Sequence, residues 1–160
     1  FDRTWDAGPA ASGLVAIATD SRLTGARDLL DEFQVAVEAA DVGAETLLPM
    51  VTSAAARVLR CARGDLQPGR AADLILLPPR DGGPGETLAG CRRADLQLVV
   101  TEGRPRIGAP HRGSVFAARG VWTAACELDR RRKVIDRALL REYVHYGIAE
   151  PGVRVLAATA

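Results

Sequence analysis

Hydrophobic residues run together at Leu14, Val15, Ala16, Ile17 and Ala18, between Gly13 and the polar trio Thr19, Asp20 and Ser21. Consecutive apolar positions closed by a glycine and a polar cluster read as a strand covered on both faces, as in a parallel sheet. A helical pattern follows, with Leu29, Leu30, Phe33, Val37 and Ala40 on one side and Asp28, Asp31, Glu32 and Glu38 mostly on the other. That spacing predicts an amphipathic helix over 26–40, its acidic residues early, where the helix dipole favours them. Strand, acidic tip, short loop and helix make half of a βα unit. A carboxylate at the C-terminal end of such a strand stands where barrel and doubly wound enzymes put their chemistry, so Asp20 is the first candidate functional residue. The plain alternative is that Asp20 caps the following loop.

Residues 44–61 are helical but interrupted. Leu47, Leu48 and Val51 form one stripe, and Ala54, Ala55, Val58 and Leu59 another, with Pro49 between them and Thr52 or Ser53 able to cap the second. Two short helices at an angle are expected. At Gly64 the character changes, because Gly64, Pro68 and Gly69 punctuate a turn. A short apolar strand over 72–77, a flexible loop over 78–85 and a strand over 94–101 follow. Glu102 and Gly103 then predict a hairpin turn into 104–107, and 115–125 predicts one or two further short strands. Strands joined by tight turns predict a small antiparallel sheet or half sandwich. The basic run Arg130, Arg131, Arg132 and Lys133 reads as the solvated start of a helix, not as a nucleic-acid patch. Residues 134–146 return to helical spacing through Ile135, Leu139, Leu140 and Tyr143. Residues 1–13 read as a loop in which Trp5 packs on a neighbour, and 153–160 carry no pattern. The expected division is 1–62, 63–125 and 126–160.

Composition narrows the partners. A chain of 160 residues has the length of one domain or of pieces of two, and its 48% hydrophobic and 26% charged residues are the balance of a soluble globular protein. A net charge of +1 gives no field for nucleic acid or an anionic membrane, and 4% aromatic residues give no stacking platform for single strands. No apolar run approaches the ~20 residues that span a bilayer, and there is no basic-then-apolar leader pattern. Cys61, Cys91 and Cys126 are widely spaced, without C-x-x-C, and read as buried thiols of a reducing cytoplasm. The chain opens on Phe1, with its first apolar strand almost at once, and so reads as processed or as the tail of something longer.

Two stretches together resemble the amidohydrolase superfamily, metal-dependent hydrolases and deaminases built on a (β/α)8 barrel. Ala18, Thr19, Asp20 and Ser21, followed by Leu23, Thr24, Gly25 and the helix at Asp28, look like the end of the eighth barrel strand, usually G-T-D. Gly64, Leu66, Pro68, Gly69, Ala72, Asp73 and Leu74 are similar to the family's return from the barrel to its flanking β-sandwich. Between them, Thr52, Ala56, Arg57 and Leu59 match the usual T-x-x-x-A-R-x-L helix, and Val99, Val100, Gly103, Arg104 and Pro105 resemble the closing hairpin. The resemblance covers about residues 14–107 and points to the cytosine-deaminase-like and imidazolonepropionase-like branch. It implies an α/β fold: the last strand–helix unit of a (β/α)8 barrel, followed by part of a small antiparallel β-sandwich domain.

What the resemblance implies chemically centres on Asp20, as metal ligand and as acceptor of a proton from metal-bound water. The metal would be zinc, with iron and manganese as alternatives. Ser21, beside it, would meet a small-molecule substrate, and Asp73 would hold a turn. Two departures stand out. Ala18 replaces the usual glycine, and the family's H-x-H and later histidine ligands have no counterpart here, since His111 and His145 match no ligand position and read as surface or packing residues. A catalytic zinc takes three protein ligands, and this chain offers one, so alone it is not expected to be an active hydrolase. It is expected to be the C-terminal portion of one that cleaves a non-peptide C–N bond in a cyclic amide or amidine, or deaminates a ring. The alternative is a stand-alone non-catalytic module that associates with a partner barrel or with itself. No nucleic-acid or membrane partner is implied, and a homo-oligomer is left open.

Overall fold

In the computed structural model, which describes residues 14–21, 23–148 and 150–156, Asp28 opens the first helix. Its carboxylate accepts from the N–H groups of Leu30 (3.0 Å) and Asp31 (3.1 Å), two donors that a first helical turn leaves unpaired. Helix α1 then runs Leu29–Ala39, close to the expected span. The expectations for residues 1–13, Trp5 among them, and for 157–160 lie outside the described residues. The fold is mixed α/β, and it divides into two compact units. One takes the described residues up to Ala71 with Pro78–Arg92; the other takes Ala72–Leu77 with the residues from Arg93 onward.

The first unit is helical. After α1 come α2 (Ala44–Leu47), a 3-10 turn at Leu48–Val51 and α3 (Ser53–Val58), so the interrupted pattern around Pro49 does resolve into short pieces. Helix α4 (Pro84–Gly90) packs on both α1 and α2, where a flexible loop was expected over 78–85. Pro84 sits in its first turn, where a missing N–H costs nothing. The Glu45 carboxylate closes the same turn from α2, accepting from Gly85 N–H at 2.6 Å. Phe33, Ala44, Leu47, Met50, Ala54, Ala56, Leu88 and Cys91 are buried apolar residues of this unit. Gln34 is buried beside them, its Nε2 donating to the Cys91 carbonyl at 2.8 Å.

Residues 14–18 belong to this unit and lie outside the sheet. They alternate between exposed and half-buried, and the Ile17 N–H donates to the Met50 carbonyl at 3.0 Å. The expected strand covered on both faces is therefore not formed among the described residues. A strand needs a ladder on its edges, and this segment finds its backbone partner in the 3-10 turn.

The second unit is one open antiparallel sheet of six strands: β1 (Leu74–Leu76), β2 (Leu98–Thr101), β3 (Arg104–Gly108), β4 (Thr123–Leu128), β5 (Arg131–Asp136) and β6 (Val153–Val155). Their order is β1-β2-β3-β5-β4-β6. The β2–β3 hairpin turns at Glu102 and Gly103, as expected, with Thr101 opposite Arg104 and both turn residues left-handed. Two expectations fail here. Residues 115–125 were read as strand, but α5 (Gly113–Ala118) occupies the first part and β4 begins only at Thr123. Phe116 anchors that helix to the sheet, buried with Leu98 and Val121 against Val100, Val115 and Val134. A phenylalanine taken fully out of water contributes about 1.5–3 kcal/mol, enough to override a weak strand pattern.

The basic run at 130–133 is likewise no helix start. Asp129 and Arg130 are both left-handed and form the two-residue turn between β4 and β5, with Leu128 opposite Arg131. Arg131, Arg132 and Lys133 then alternate along β5, and helix α6 (Arg137–His145) begins only after Asp136.

Candidate functional site

Asp20 stands at the exposed end of the 14–18 segment with φ +49°, a left-handed conformation that aspartate tolerates better than most residues. The following turn closes on it. The N–H groups of Thr24 (3.2 Å) and Gly25 (2.7 Å) both donate to the Ser21 carbonyl. A Cβ at position 25 would stand 2.3 Å from the Thr19 carbonyl oxygen, so the loop requires glycine there. The Thr24 hydroxyl donates to Asp20 Oδ2 at 3.1 Å, and Ser21 Oγ lies 2.9 Å from Thr24 Oγ1. Thr24 has one hydroxyl proton and the carboxylate can only accept, so Ser21 donates to Thr24, which donates to Asp20. The structure thus brings the predicted pair Asp20 and Ser21 into one hydrogen-bonded chain through a residue that the loop spacing placed nearby. All three are exposed.

Asp73 sits elsewhere, in the second unit, where its Oδ1 accepts the Glu102 N–H at 2.7 Å and braces the β2–β3 turn. His111 is exposed in a 3-10 turn at Pro110–Arg112. His145 is exposed at the end of α6, its ring edge-on to Tyr146 at 5.0 Å. All three cysteines are free thiols; Cys91 and Cys126 are buried as expected, but Cys61 is exposed. Cys61 follows α3 in a segment, 57–64, that is exposed throughout, so no core reaches it.

Among the described residues no group of three or more histidine, cysteine, aspartate or glutamate side chains could hold a metal ion. The donors present therefore do not fit a complete metal centre, and Asp20 offers one carboxylate oxygen to such a centre.

The most elaborate charged cluster was missed by the sequence reading. Asp136, 1% exposed, receives Arg104 Nε at 2.6 Å and Nη2 at 3.0 Å, a two-point pair, and Arg106 Nη1 at 3.3 Å. The same carboxylate caps α6 by accepting Ala138 N–H at 3.0 Å. The Arg104 guanidinium holds the Asp136 carboxyl below the ordinary carboxylate range, burial opposes this, and the Ala138 bond and the charges of Arg104 and Arg106 add to it. The sequence hid it, because Asp136 falls inside the helical spacing expected over 134–146, whereas the helix begins at Arg137 with Asp136 as its cap.

Two further charged groups brace the sheet. Lys133 is buried, with Nζ donating to the carbonyls of Ala94 (2.8 Å) and Leu96. Burial pushes its pKa down, against the attraction of Asp95. Cys126, directly opposite it on β4, is pushed up by burial. Arg93 grips both oxygens of Asp129, at 3.1 and 2.9 Å, and also Glu150 and the Pro151 carbonyl, tying the β4–β5 turn to the segment that enters β6.

Comparison of the chain with protein-family models, with curated proteins and with solved structures finds no match.

Proposed function

We propose that this chain is the C-terminal portion of a metal-dependent amidohydrolase, hydrolysing a non-peptide C–N bond in a small cyclic amide, amidine or aminated ring. The observation that carries the reading is Asp20: an exposed carboxylate on a turn built to present it, one oxygen held by Thr24, inside a motif order that resembles the family over residues 14–107. Asp73, just before β1 and bracing the β2–β3 turn, and the antiparallel sheet are consistent with that order. Residues 14–39 then correspond to the last strand–helix unit of the barrel, and the sheet to part of the flanking β-domain.

Under this reading Asp20 is one ligand of a divalent metal, zinc or else iron or manganese, and Ser21 faces the substrate. The reading requires further ligands, an H-x-H pair above all, from outside the described residues. Free thiols throughout accord with a reducing, cytoplasmic setting. No described helix is long and apolar enough to cross a membrane.

The test uses the complete reading frame that encodes this chain. Bound metal is measured by mass spectrometry, and ammonia release or ring opening is followed on a panel of cyclic amides and aminated heterocycles, with the native protein and Asp20→Asn. The expected result is bound divalent metal in the native protein and turnover at least ~100-fold lower in the variant. Equal metal content and equal turnover in Asp20→Asn would overturn the reading. A frame that starts within a few codons of Phe1, with no H-x-H, points instead to a stand-alone module.

A further inference from the structure

Beside the Asp136 cluster, and wholly within the second unit, lies a cleft of about 400 Å³ lined by Arg104, Trp122, Asp136, Arg137, Ala138 and Arg141. We propose that this cleft binds a mononucleotide, with Arg137 and Arg141 on its phosphate and the Trp122 indole against its base.

The arginines supply the first half of the argument. Arg104 is committed to Asp136, so its charge is spent within the protein. Arg137 and Arg141 are exposed and make no ion pair among the described residues. Their placement is unfavourable for the fold taken alone. They stand one helical turn apart on α6, where like charges repel, and Arg137 sits in the first turn, where the helix dipole opposes a cation. An anion bound between them would relieve both penalties. The helix N-terminus is not itself the binding element, because Ala138 N–H is already taken by Asp136. Two unpaired guanidinium groups match a phosphate monoester dianion, with bidentate geometry open to each.

Trp122 supplies the second half. In a chain with two tryptophans it is 80% exposed on the cleft wall, although a solvated indole forfeits a large hydrophobic gain. Its backbone is anchored, since the Trp122 carbonyl accepts Arg137 N–H at 2.8 Å, so both side chains leave neighbouring backbone positions on the wall of one cleft. A planar face next to paired cations suits an aromatic base joined to a phosphate. The volume lies in the range of small-ligand pockets. The near-neutral net charge of the chain does not bear on this, because the cations are concentrated locally.

The assignment is independent of the hydrolase reading, so its failure leaves that reading where it stands. Isothermal titration of the chain with adenosine monophosphate, adenosine and inorganic phosphate, each in turn, is the test. The expected result is binding of the monophosphate at least about tenfold tighter than either half alone. Arg137→Ala with Arg141→Ala should weaken monophosphate binding by about tenfold or more while the circular dichroism spectrum stays native. Trp122→Ala should weaken the monophosphate and leave inorganic phosphate unchanged. No binding of the monophosphate to the folded native chain overturns the proposal. So does undiminished affinity in the double arginine variant, phosphate binding as tight as the nucleotide, or binding of oligonucleotides alone.

Discussion

Arg104 meets Asp136 through two nitrogens on two oxygens, Nε to Oδ2 at 2.6 Å and Nη2 to Oδ1 at 3.0 Å, across β3 and the end of β5. One carboxylate thereby closes an ion pair, draws in Arg106 and caps α6. Loss of the side chain in Asp136→Ala removes all of these, and the cap alone is worth about 1 kcal/mol. Asp136→Asn separates the parts, because asparagine caps a helix as well as aspartate does. We expect both variants to unfold at lower urea than the native chain, with the alanine variant the weaker. Equal midpoints for native and asparagine forms would show that the charge adds nothing.

The same carboxylate makes stability depend on acid. Its folded pKa lies below the ordinary value of about 4, so its contribution is complete above that value and is lost as pH falls through the folded pKa. The native chain should therefore lose stability relative to Asp136→Asn as pH drops from about 5 to below 3. Urea titrations of both proteins across that range check the sign; parallel curves would refute it.

Lys133 gives a prediction of opposite range. Burial lowers its folded pKa below that of the unfolded chain. Between the folded value and about 10.4 the unfolded state binds more protons, so stability contributed at this site rises with pH across that window. Although the buried charge is itself a penalty at neutral pH, Lys133→Met should be destabilised there by about 1–3 kcal/mol, because the carbonyls of Ala94 and Leu96 lose a buried donor. The gap between native and variant should widen toward pH 10, as read from denaturation midpoints.

What could be read from the chain was what local chemistry decides. Helix α1 was legible because its cap, acidic first turn and apolar stripe agree, and the β2–β3 hairpin because Glu102 and Gly103 form a recognisable turn. The β4–β5 hairpin was not, because its left-handed turn residues are Asp129 and Arg130, with no glycine to announce them. Helix α4 was hidden for a different reason. Its first turn is capped by Glu45, forty residues earlier in the chain, and local propensity carries no record of such a partner. At the candidate site, motif order singles out Asp20 and Ser21, whereas the Thr24 link between them comes from the geometry of the turn. The Asp136 cluster joins two strands, β3 and β5, to helix α6, which no local window spans.

Gly85 tests the long-range origin of α4. A methyl group there would stand 2.6 Å from the Ala44 carbonyl carbon and 2.7 Å from both its oxygen and Glu45 N, all backbone atoms of α2. In an open helix, glycine to alanine stabilises by about 1 kcal/mol. At this position Gly85→Ala should instead destabilise by about 2–3 kcal/mol, the cost of overpacking. Gly90→Ala is the control, since its added carbon would approach nothing nearer than Arg80 Cγ at 3.6 Å. Urea midpoints that fall for the first variant and hold or rise for the second bear out the packing; two equal shifts would refute it.

Asp20 carries the proposed activity, so its variants must be separable from folding. Asparagine accepts the left-handed φ of +49° and keeps an oxygen for the Thr24 hydroxyl. At an exposed position Asp20→Asn should therefore leave stability within about 0.5 kcal/mol of native. Asp20→Val removes the acceptor and puts a β-branched residue in a conformation that costs about 1–2 kcal/mol, a lowering of the unfolding temperature by about 2–8 °C. Thermal unfolding of the three proteins followed by circular dichroism distinguishes them. If asparagine proves as disruptive as valine, the Asp20 carboxylate is chiefly a brace for the 21–25 turn, and loss of turnover in Asp20→Asn could no longer be credited to chemistry.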